Sequence, residues 1–290
     1  MKQLLILSGK GGTGKTTIAS AFIKLANAQA FADCDVDAPN LHIVMNQMGE
    51  PSKTDYYGLD KAKINVDKCI SCGICQQHCR FDAISEKDGI YEVDPFACEG
   101  CSVCEAFCPV EAVEMIPSLA GELMLYKKDE AVFSTAQLKM GSGTSGMLVT
   151  RVKTQMKDAA EPRTELAIID GSPGIGCPVI ASLSGVDMVL IVAEPSLSGI
   201  SDMERIVKTA RQFGVKMAIC VNKYDTNLNN TKKIEDYCGK ESIVFAGTIP
   251  FDENAGKAIN RGLSVVDISC SAKEAVEKLF AVTMELLEDK

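Results

Sequence analysis

Residues 3–17 read Gln-Leu-Leu-Ile-Leu-Ser-Gly-Lys-Gly-Gly-Thr-Gly-Lys-Thr-Thr, and this stretch decides the fold. Its first six residues are mostly apolar and predict a short buried strand. Apolar residues then recur at helical spacing from Thr16 to Ala28. A strand, a glycine-rich turn and a helix in this order form a loop whose backbone N–H groups surround phosphate oxygens. The pattern therefore predicts a phosphate-binding loop at residues 9–17.

This loop also contains the side chains that a phosphate site needs. Lys15 is predicted to reach the outer phosphates of a nucleotide, and the hydroxyl of Thr16 to hold Mg²⁺. The alternative is a glycine-rich turn with a chance lysine, which leaves the combination of strand, glycines, lysine and two threonines unexplained. The residues expected to contact the nucleotide are Gly9, Gly11, Gly12, Thr13, Gly14, Lys15, Thr16 and Thr17.

The rest of the chain predicts an α/β fold. Residues 46–61 are predicted to be turns and loop, and Gly121–Thr135 a hairpin. Beyond residue 146, apolar runs typical of strands buried on both faces alternate with helical patterns, which predicts a mostly parallel sheet with helices on both faces. The strands are expected at Leu166–Ile169, Met188–Ala193, Lys216–Val221 and Ile243–Ile249, and the helices at Ile200–Phe213, Leu228–Cys238, Ala255–Arg261 and Lys273–Leu287.

Charge and composition exclude several classes of function. The 290 residues have a net charge of −9, which argues against a broad nucleic-acid surface and against a polybasic membrane patch. The apolar run after the first residues is too short for a secretory signal, and no run is long enough to span a bilayer. We therefore expect a cytoplasmic protein that binds neither nucleic acid nor membrane.

Thirteen cysteines set the composition apart, and eight of them lie between residues 62 and 116. They form two runs of the spacing C-x₂-C-x₂-C-x₃-C, starting at Cys69 and Cys98, and the second run ends in Cys-Pro. This is the pattern of bacterial ferredoxins, in which the fourth cysteine of each run ligates the cluster of the other run. One 4Fe–4S cluster is expected on Cys69, Cys72, Cys75 and Cys108, and a second on Cys98, Cys101, Cys104 and Cys79.

Zinc is the alternative for this region, because paired C-x₂-C also forms zinc sites. A zinc site needs only four ligands from two C-x₂-C pairs. Each run here instead has three cysteines at x₂ spacing and a fourth after x₃. Residues 62–116 are therefore expected to form an inserted ferredoxin (α+β) module, interrupting one α/β domain with the phosphate-binding loop, formed by residues 1–61 and 117–290. The module contains ten acidic and four basic side chains, which indicates either docking on a basic partner surface or simple solubility. The other five cysteines are expected to pack as small hydrophobes.

Lys10, directly after the first glycine of the phosphate loop, carries a family resemblance. It resembles the deviant phosphate loop of the P-loop ATPases that include MinD, ParA, Mrp and the nitrogenase iron protein. The resemblance implies that Lys10 crosses the interface of an ATP-dependent homodimer and stabilises charge on the phosphoryl group of the partner's nucleotide. It also implies ATP as the nucleotide; GTP is the alternative, because residues 222–225 also resemble the base-reading element of GTPases. For Lys10, a loop lysine in solvent is the alternative.

Three further segments resemble the same family. Residues 33–41 resemble its switch I, which implies that Asp35 orients a water and that Asp37 lies nearby. Residues 168–174 resemble its Walker B strand and switch II, which implies Asp170 as the magnesium partner. Single aspartates at strand ends are otherwise common as helix caps. The base-side contacts implied by the resemblance are Asn222, Asp225 and Pro250.

The whole chain resembles MinD-superfamily ATPases with an inserted ferredoxin domain. The resemblance implies an ATP-hydrolysing dimer with Mg²⁺ and two 4Fe–4S clusters, in which the nucleotide state controls the clusters. Its expected use is iron–sulfur or metallocofactor assembly, or ATP-gated electron transfer, with a redox or assembly protein as partner. The rival is a spatial-organising ATPase of the MinD or ParA kind with a redox-sensing insert. A nitrogenase-like cluster ligand at Cys177 is a further alternative, although no second cysteine accompanies it.

Overall fold

The structure is a computed structural model that describes residues 1–45 and 48–289. The chain divides into two compact units. The first comprises Met1–Lys53, Leu123–Gln137 and Gly146–Lys290, and the second comprises Thr54–Glu122 and Leu138–Ser145. The second unit thus extends beyond residues 62–116, the segment for which the sequence predicts a ferredoxin module.

Strands and helices alternate along most of the chain. The strands are β1 (Lys2–Leu7), β2 (Ala30–Asp33), β3 (Ser52–Tyr57), β4 (Lys61–Ile64), β5 (Ile84–Lys87), β6 (Ile90–Val93), β7 (Val113–Ile116), β8 (Leu119–Lys128), β9 (Ala131–Leu138), β10 (Leu166–Asp170), β11 (Met188–Ala193), β12 (Lys216–Asn222) and β13 (Val244–Ile249). The helices are α1 (Lys15–Leu25), α2 (Leu41–Val44), α3 (Ile74–His78), α4 (Val103–Ala106), α5 (Ser145–Ala159), α6 (Cys177–Leu183), α7 (Leu197–Gln212), α8 (Leu228–Glu241), α9 (Glu253–Ile259) and α10 (Ser271–Glu288).

Within the described residues, the largest sheet has nine strands in the order β13-β12-β11-β1-β10-β2-β9-β8-β3. The pairs from β13 to β9 are parallel, as the alternation of strands and helices predicts. Strands β1, β2, β10 and β11 are buried at nearly every position, because helices cover both faces of a parallel sheet. The predicted α/β fold with a mostly parallel sheet is confirmed.

The last helix, α10, packs its apolar face into the core of the first unit. Val276, Leu279 and Leu287 are buried there, and Phe280 meets Phe22 of α1 edge to face with ring centroids 5.1 Å apart. The apolar residues of this helix are thus used within the fold.

The prediction of turns and loop for residues 46–61 is wrong for residues 52–57, which form strand β3. The segment Ser-Lys-Thr-Asp-Tyr-Tyr has no apolar alternation, since five of its six positions are exposed and only Tyr56 is buried. A strand at the end of a sheet can be formed by pairing on one side, without the periodic burial that sequence analysis detects. Residues 46 and 47 lie outside the described residues.

The second unit is a structural repeat with an offset of 29 residues. Strand β4 pairs with β7, and β5 pairs with β6, both antiparallel. Adding 29 to the residue numbers converts β4 into β6 and β5 into β7. Left-handed backbone recurs with the same offset, at Ser71 and Gly100, at Gly73 and Ser102, and at Asp82 and Glu111.

Candidate functional site

The predicted nucleotide residues gather at one edge of the parallel sheet. The register places Asp170, at the end of β10, opposite Ile6 of β1 on one side and opposite Asp33 of β2 on the other. On the far side of β1, strands β11 and β12 end together, with Ala193 opposite Val221. Because all these strands are parallel, the residues that follow them emerge at the same edge as the phosphate loop.

Lys15 is buried and paired within its own site. Its Nζ lies 2.5 Å from Oδ1 of Asp170, and the Thr16 hydroxyl donates to Oδ2 of the same carboxylate at 2.7 Å. Burial lowers the pKa of Lys15, but Asp170, Asp33 and Asp35 raise it and outweigh burial. The structure therefore brings together the residues predicted to bind the outer phosphates and the magnesium ion.

Asp33 organises the loop that follows β2, although the sequence resemblance assigns it no role. It is fully buried, and its carboxylate accepts N–H bonds from Asp35, Asn40 and Leu41, each at 3.0 Å. Burial and the nearby Asp170 raise the pKa of Asp33 to about 7, against the lowering effect of Lys15 and of the backbone N–H groups. The signal that could have identified it is its place as the last residue of a buried strand, the same place that Asp170 occupies.

Asp35 and Asp37 differ in their surroundings. The side chain of Asp35 is half-buried, and burial raises its pKa although Lys15 lowers it. Asp37 is exposed, and its backbone oxygen accepts from Gln137 Nε2 at 3.2 Å. Asp35 thus belongs to the carboxylate group around Lys15, whereas Asp37 lies in the exposed part of the same loop.

This edge of the sheet fits a magnesium nucleotide. Three carboxylates, those of Asp33, Asp35 and Asp170, act electrostatically on the single ammonium of Lys15, so negative charge is in excess. Mg²⁺ prefers such oxygen ligands. Thr13 is buried, and its hydroxyl has no hydrogen-bond partner among the described residues. A phosphate oxygen would accept from that hydroxyl.

The predicted base-side residues are joined to the phosphate loop. Asn222 Nδ2 donates to the carbonyl of Thr13 at 2.7 Å, and a side chain at Gly14 would overlap that amide. Asp225 Oδ1 accepts from the N–H of Phe251 at 2.8 Å, directly after Pro250. The two segments predicted to contact the base are therefore connected to each other as well.

Lys10 contacts acceptors of its own chain. Its Nζ lies 2.8 Å from Oε2 of Glu194, 3.3 Å from Oγ of Ser196 and 3.5 Å from Oγ of Ser198. Lys223 Nζ approaches the other oxygen of Glu194 at 3.2 Å and donates to the carbonyl of Gly12 at 3.0 Å. Glu194 is a second residue to which sequence analysis gave no role, although it directly follows a buried strand.

The cysteines of the second unit surround two cavities. Cys69, Cys72, Cys75 and Cys108 line one of them, together with Tyr91 and Pro109. Cys79, Cys98, Cys101 and Cys104 line the other, together with Phe81 and Met115. Each cavity thus has three thiols from one run and the last thiol of the other run, which is the grouping that the sequence predicts.

The repeat gives both cavities the same local environment. The N–H of Ala83 points to Cys79 Sγ at 3.4 Å, and that of Ala112 to Cys108 Sγ at 3.2 Å, which are equivalent positions. For Cys108, burial raises the pKa, but the Ala112 N–H and neighbouring backbone N–H groups outweigh burial and lower the pKa of the thiol. His78 and Phe107 are also equivalent, and their rings stack on each other with centroids 4.3 Å apart.

The spacing of the thiols bears on the zinc alternative. In the described part of the chain, no three Cys, His, Asp or Glu side chains are close enough to share a single metal ion. A tetrahedral zinc site, with Zn–S bonds of about 2.3 Å, draws its sulfurs together around one atom. These thiols surround a cavity instead, as the ligands of a polynuclear cluster do.

The five other cysteines fall into two groups. Cys34, Cys220 and Cys238 are buried, and burial raises the pKa of each thiol, to about 12 for the first two and about 11 for the third. They behave as the small hydrophobes that the sequence predicts. Cys270 is half-buried, and Cys177 is exposed at the start of α6, so packing in the core does not describe Cys177.

Comparison with known proteins agrees with this geometry. The family model of the CobQ/CobB/MinD/ParA nucleotide binding domain matches residues 4–265. The chain belongs to that family. It is a P-loop ATPase of the MinD/ParA/Mrp type, as the sequence resemblance implies. MinD of Pyrococcus horikoshii, solved with Mg-ADP, is a structural neighbour with a TM-score of 0.59 and 15% identity, covering 99% of this chain and 97% of that chain.

Three relatives of this P-loop ATPase match different shares of the chain. An uncharacterised protein of Methanocaldococcus jannaschii is 32% identical over 290 residues, covering 98% of this chain and 97% of the relative. An iron-sulfur cluster carrier protein of Pyrococcus horikoshii is 23% identical, covering 91% of this chain and 79% of its own. Ferredoxin Fdx2 of Sorangium cellulosum is 45% identical over 52 residues, which are 16% of this chain and 52% of that ferredoxin.

A helix that spans a membrane needs about 20 consecutive, predominantly apolar residues. None of the helices formed by the described residues is both long and apolar enough to cross a bilayer.

Proposed function

We propose that this ATPase holds two 4Fe–4S clusters and that the nucleotide state of a dimer controls the unit that carries them. The output is iron–sulfur or metallocofactor assembly, or ATP-gated electron transfer. The observation that carries the proposal is the pair of four-thiol cavities, each lined by three thiols of one run and one of the other. That crossed grouping is the one used by bacterial two-cluster ferredoxins.

The relatives support the same reading. One is named an iron-sulfur cluster carrier protein and matches along 91% of this chain, and another is named a ferredoxin. The cluster-carrier name supports assembly and the ferredoxin name supports electron transfer, and the thiol geometry is compatible with both outputs.

The nucleotide residues have proposed roles that follow from their positions. Lys15 binds the outer phosphates, Thr16 and Asp170 hold the magnesium ion, and Asp35 orients the attacking water. Lys15 and Thr16 both meet the Asp170 carboxylate, so nucleotide binding exchanges these internal contacts for contacts to phosphate and metal. The loop residues 9–17 and Asp37 line the phosphate side, and Asn222, Asp225 and Pro250 the base side.

Lys10 is proposed to act in a dimer that forms on ATP binding. There it stabilises charge on the transferring phosphoryl group of the partner's nucleotide. Its present contacts reach acceptors on α7 and at the end of β11, which lie at the edge of the sheet where the nucleotide residues gather.

A short stretch of chain connects the two functions. The loop organised by Asp33 ends at Leu41, and the second unit begins at Thr54. A change of the loop on nucleotide binding therefore has a short covalent route to the cysteine unit. The acidic excess of residues 62–116 fits a protein partner with a basic docking surface.

The first experiment establishes the cofactor. Anaerobically purified protein should contain about eight irons per chain, four for each cluster, and should show 4Fe–4S EPR signals on reduction. Zinc in stoichiometric amounts with negligible iron would overturn the cluster assignment.

A second experiment separates the two outputs. Iron transfer to an apo-ferredoxin is followed with MgATP, with MgADP and without nucleotide. Transfer that depends on MgATP supports assembly. Transfer at one unchanged rate, together with cluster potentials that shift with nucleotide, supports electron transfer. If neither the transfer rate nor the cluster potentials depend on the nucleotide, nucleotide control of the clusters is refuted.

A further inference from the structure

The carboxylate of Glu194 lies between two lysines of the nucleotide site. Lys10 Nζ is 2.8 Å from Oε2, and Lys223 Nζ is 3.2 Å from Oε1. Ser196 and Ser198 accept the remaining contacts of Lys10. An ammonium group has three N–H donors, and the three acceptors around Lys10 match that number.

The fold fixes this arrangement. Strand β11 lies between β1 and β12 in the sheet, so the residue after it emerges between the phosphate loop and the loop that contains Lys223. Gly9 lies so close to α7 that a side chain there would overlap Asp202. Lys10 therefore starts beside the first turn of α7, where Ser196 caps the helix by accepting the N–H of Gly199.

The contact is an ion pair between charged groups. Partial burial raises the pKa of Glu194, but hydrogen bonds from Lys10 and Lys223 lower it below its usual range. The carboxylate is therefore ionised at neutral pH. The Lys10 side chain is 35% exposed and that of Glu194 22%, so water screens the pair only in part.

We propose that Glu194 is a positioning residue that holds Lys10 on its own subunit, and that Lys10 must leave it before acting on the partner's nucleotide. This rests on the proposed function, in which Lys10 acts across a dimer. A single ammonium group cannot occupy the Glu194 contact and a phosphate contact in another subunit at once. The ion pair therefore opposes formation of the active dimer.

Lys223 makes the release reversible at low cost. A half-buried carboxylate that loses its only partner is strongly destabilised. Glu194 keeps its contact to Lys223 when Lys10 departs, and Lys223 is anchored independently by the carbonyl of Gly12. The carboxylate thus remains paired in both positions of Lys10, as a two-position switch requires.

The test is Glu194→Gln, which keeps the size of the side chain and removes its charge. The ATP-dependent dimer should form at a protein concentration up to roughly 25-fold lower, because each of its two subunits gives up one partly exposed ion pair, and each such pair contributes at most about fivefold. Turnover at low protein concentration should rise by a similar factor. Glu277→Gln is the matched control, because it removes an exposed ion pair with Lys273 on α10, and it should change neither quantity.

A double-mutant cycle shows whether Glu194 acts through Lys10. The gain from Glu194→Gln should vanish in a Lys10→Ala background. A gain that persists in the Lys10→Ala background would overturn the proposal. Unchanged or weaker dimerisation of the Glu194→Gln variant alone would also overturn it. If Lys10→Ala alone leaves turnover unchanged, the proposed function fails instead, so the two failures are distinguishable.

A second measurement does not depend on turnover. Acylation of Lys10 by a lysine-specific reagent, quantified by mass spectrometry without nucleotide, should be several-fold faster in Glu194→Gln than in wild type. The exposed Lys157 provides the internal reference. Glu194→Asp, whose side chain is one methylene shorter, should give an intermediate rate of Lys10 acylation. It replaces Glu194→Gln in this test if the glutamine variant does not fold. Equal rates in wild type and variant would contradict the ion pair.

Discussion

The nucleotide site and the cysteine unit bring their functional groups together in opposite ways. In the nucleotide site, Lys15 comes from the start of α1, whereas Asp33, Asp170 and Glu194 come from separate strand ends, and Lys10 and Lys15 are each paired with an acid. In the cysteine unit, the thiols come from two copies of one short pattern with the same backbone conformation. The first grouping depends on which strands are neighbours in the sheet, whereas the second repeats one local spacing.

The largest expected effect separates the two regions. Lys15→Ala should reduce ATP hydrolysis by about a thousandfold or more, because the charge that binds the outer phosphates is lost. Its iron content should equal that of wild type, since the thiols belong to the other unit. The rate of ATP hydrolysis and the iron content are both measured on one purified sample.

Lys24→Ala is the matched control for Lys15→Ala. Lys24 lies on the same helix and pairs with Asp267. Its loss should leave hydrolysis near the wild-type rate. Wild-type turnover in Lys15→Ala would refute the role given to Lys15.

The same difference explains what the sequence could and could not predict. The phosphate loop was predictable because it depends on spacing within a short segment, and the grouping of the eight cysteines because two copies of one spacing match the crossed pattern of bacterial ferredoxins. The roles of Asp33 and Glu194 depend on which strands are neighbours in the sheet, and spacing along the chain does not determine that. Strand β3 was missed because its polar side chains show no alternating burial.

A second prediction tests whether the nucleotide site is complete in one subunit. Lys10→Ala should lower turnover by about a hundredfold or more, with little change in the ATP affinity of the monomer, since the lysine stabilises the transition state from the partner subunit. Nucleotide titration and steady-state hydrolysis give the two values. A dissociation constant that rises as much as turnover falls would place Lys10 on its own subunit's nucleotide.

Mixing two inactive variants sharpens that test. A dimer of one Lys10→Ala chain and one Asp35→Ala chain has one site with both residues intact. Partial recovery of hydrolysis in the mixture is expected. An inactive mixture, with subunit exchange demonstrated, would refute the action across the interface.

A third prediction concerns the stability of the ATPase unit alone. Lys153 is buried on α5, and its Nζ donates to the carbonyls of Ala181, Ser182 and Ser184 at the end of α6. Lys153→Met leaves these acceptors unsatisfied and should cost about 2–3 kcal/mol of unfolding free energy. Denaturant titration measures this loss, and the exposed Lys157→Met is the control. An unchanged midpoint would show that these bonds contribute nothing net.

The smallest effect tests the crossed thiol sets. Cys79→Ser should lower the iron content about twofold and remove the cluster bound by Cys98, Cys101 and Cys104, because Cys79 lines their cavity. Cys108→Ser should remove the other cluster. Cys238→Ser, a buried thiol of the ATPase unit, should leave iron unchanged. Identical spectra for the first two variants would contradict the separate sets.

Nucleotide control of the clusters is tested most directly by an EPR-monitored redox titration with MgATP and with MgADP. In wild type, the midpoint potential or the EPR spectrum of at least one cluster should differ between the two nucleotides. In Lys15→Ala, the two titrations should coincide. Superimposable titrations and spectra for both nucleotides in wild type, in samples shown to bind them, would contradict the account.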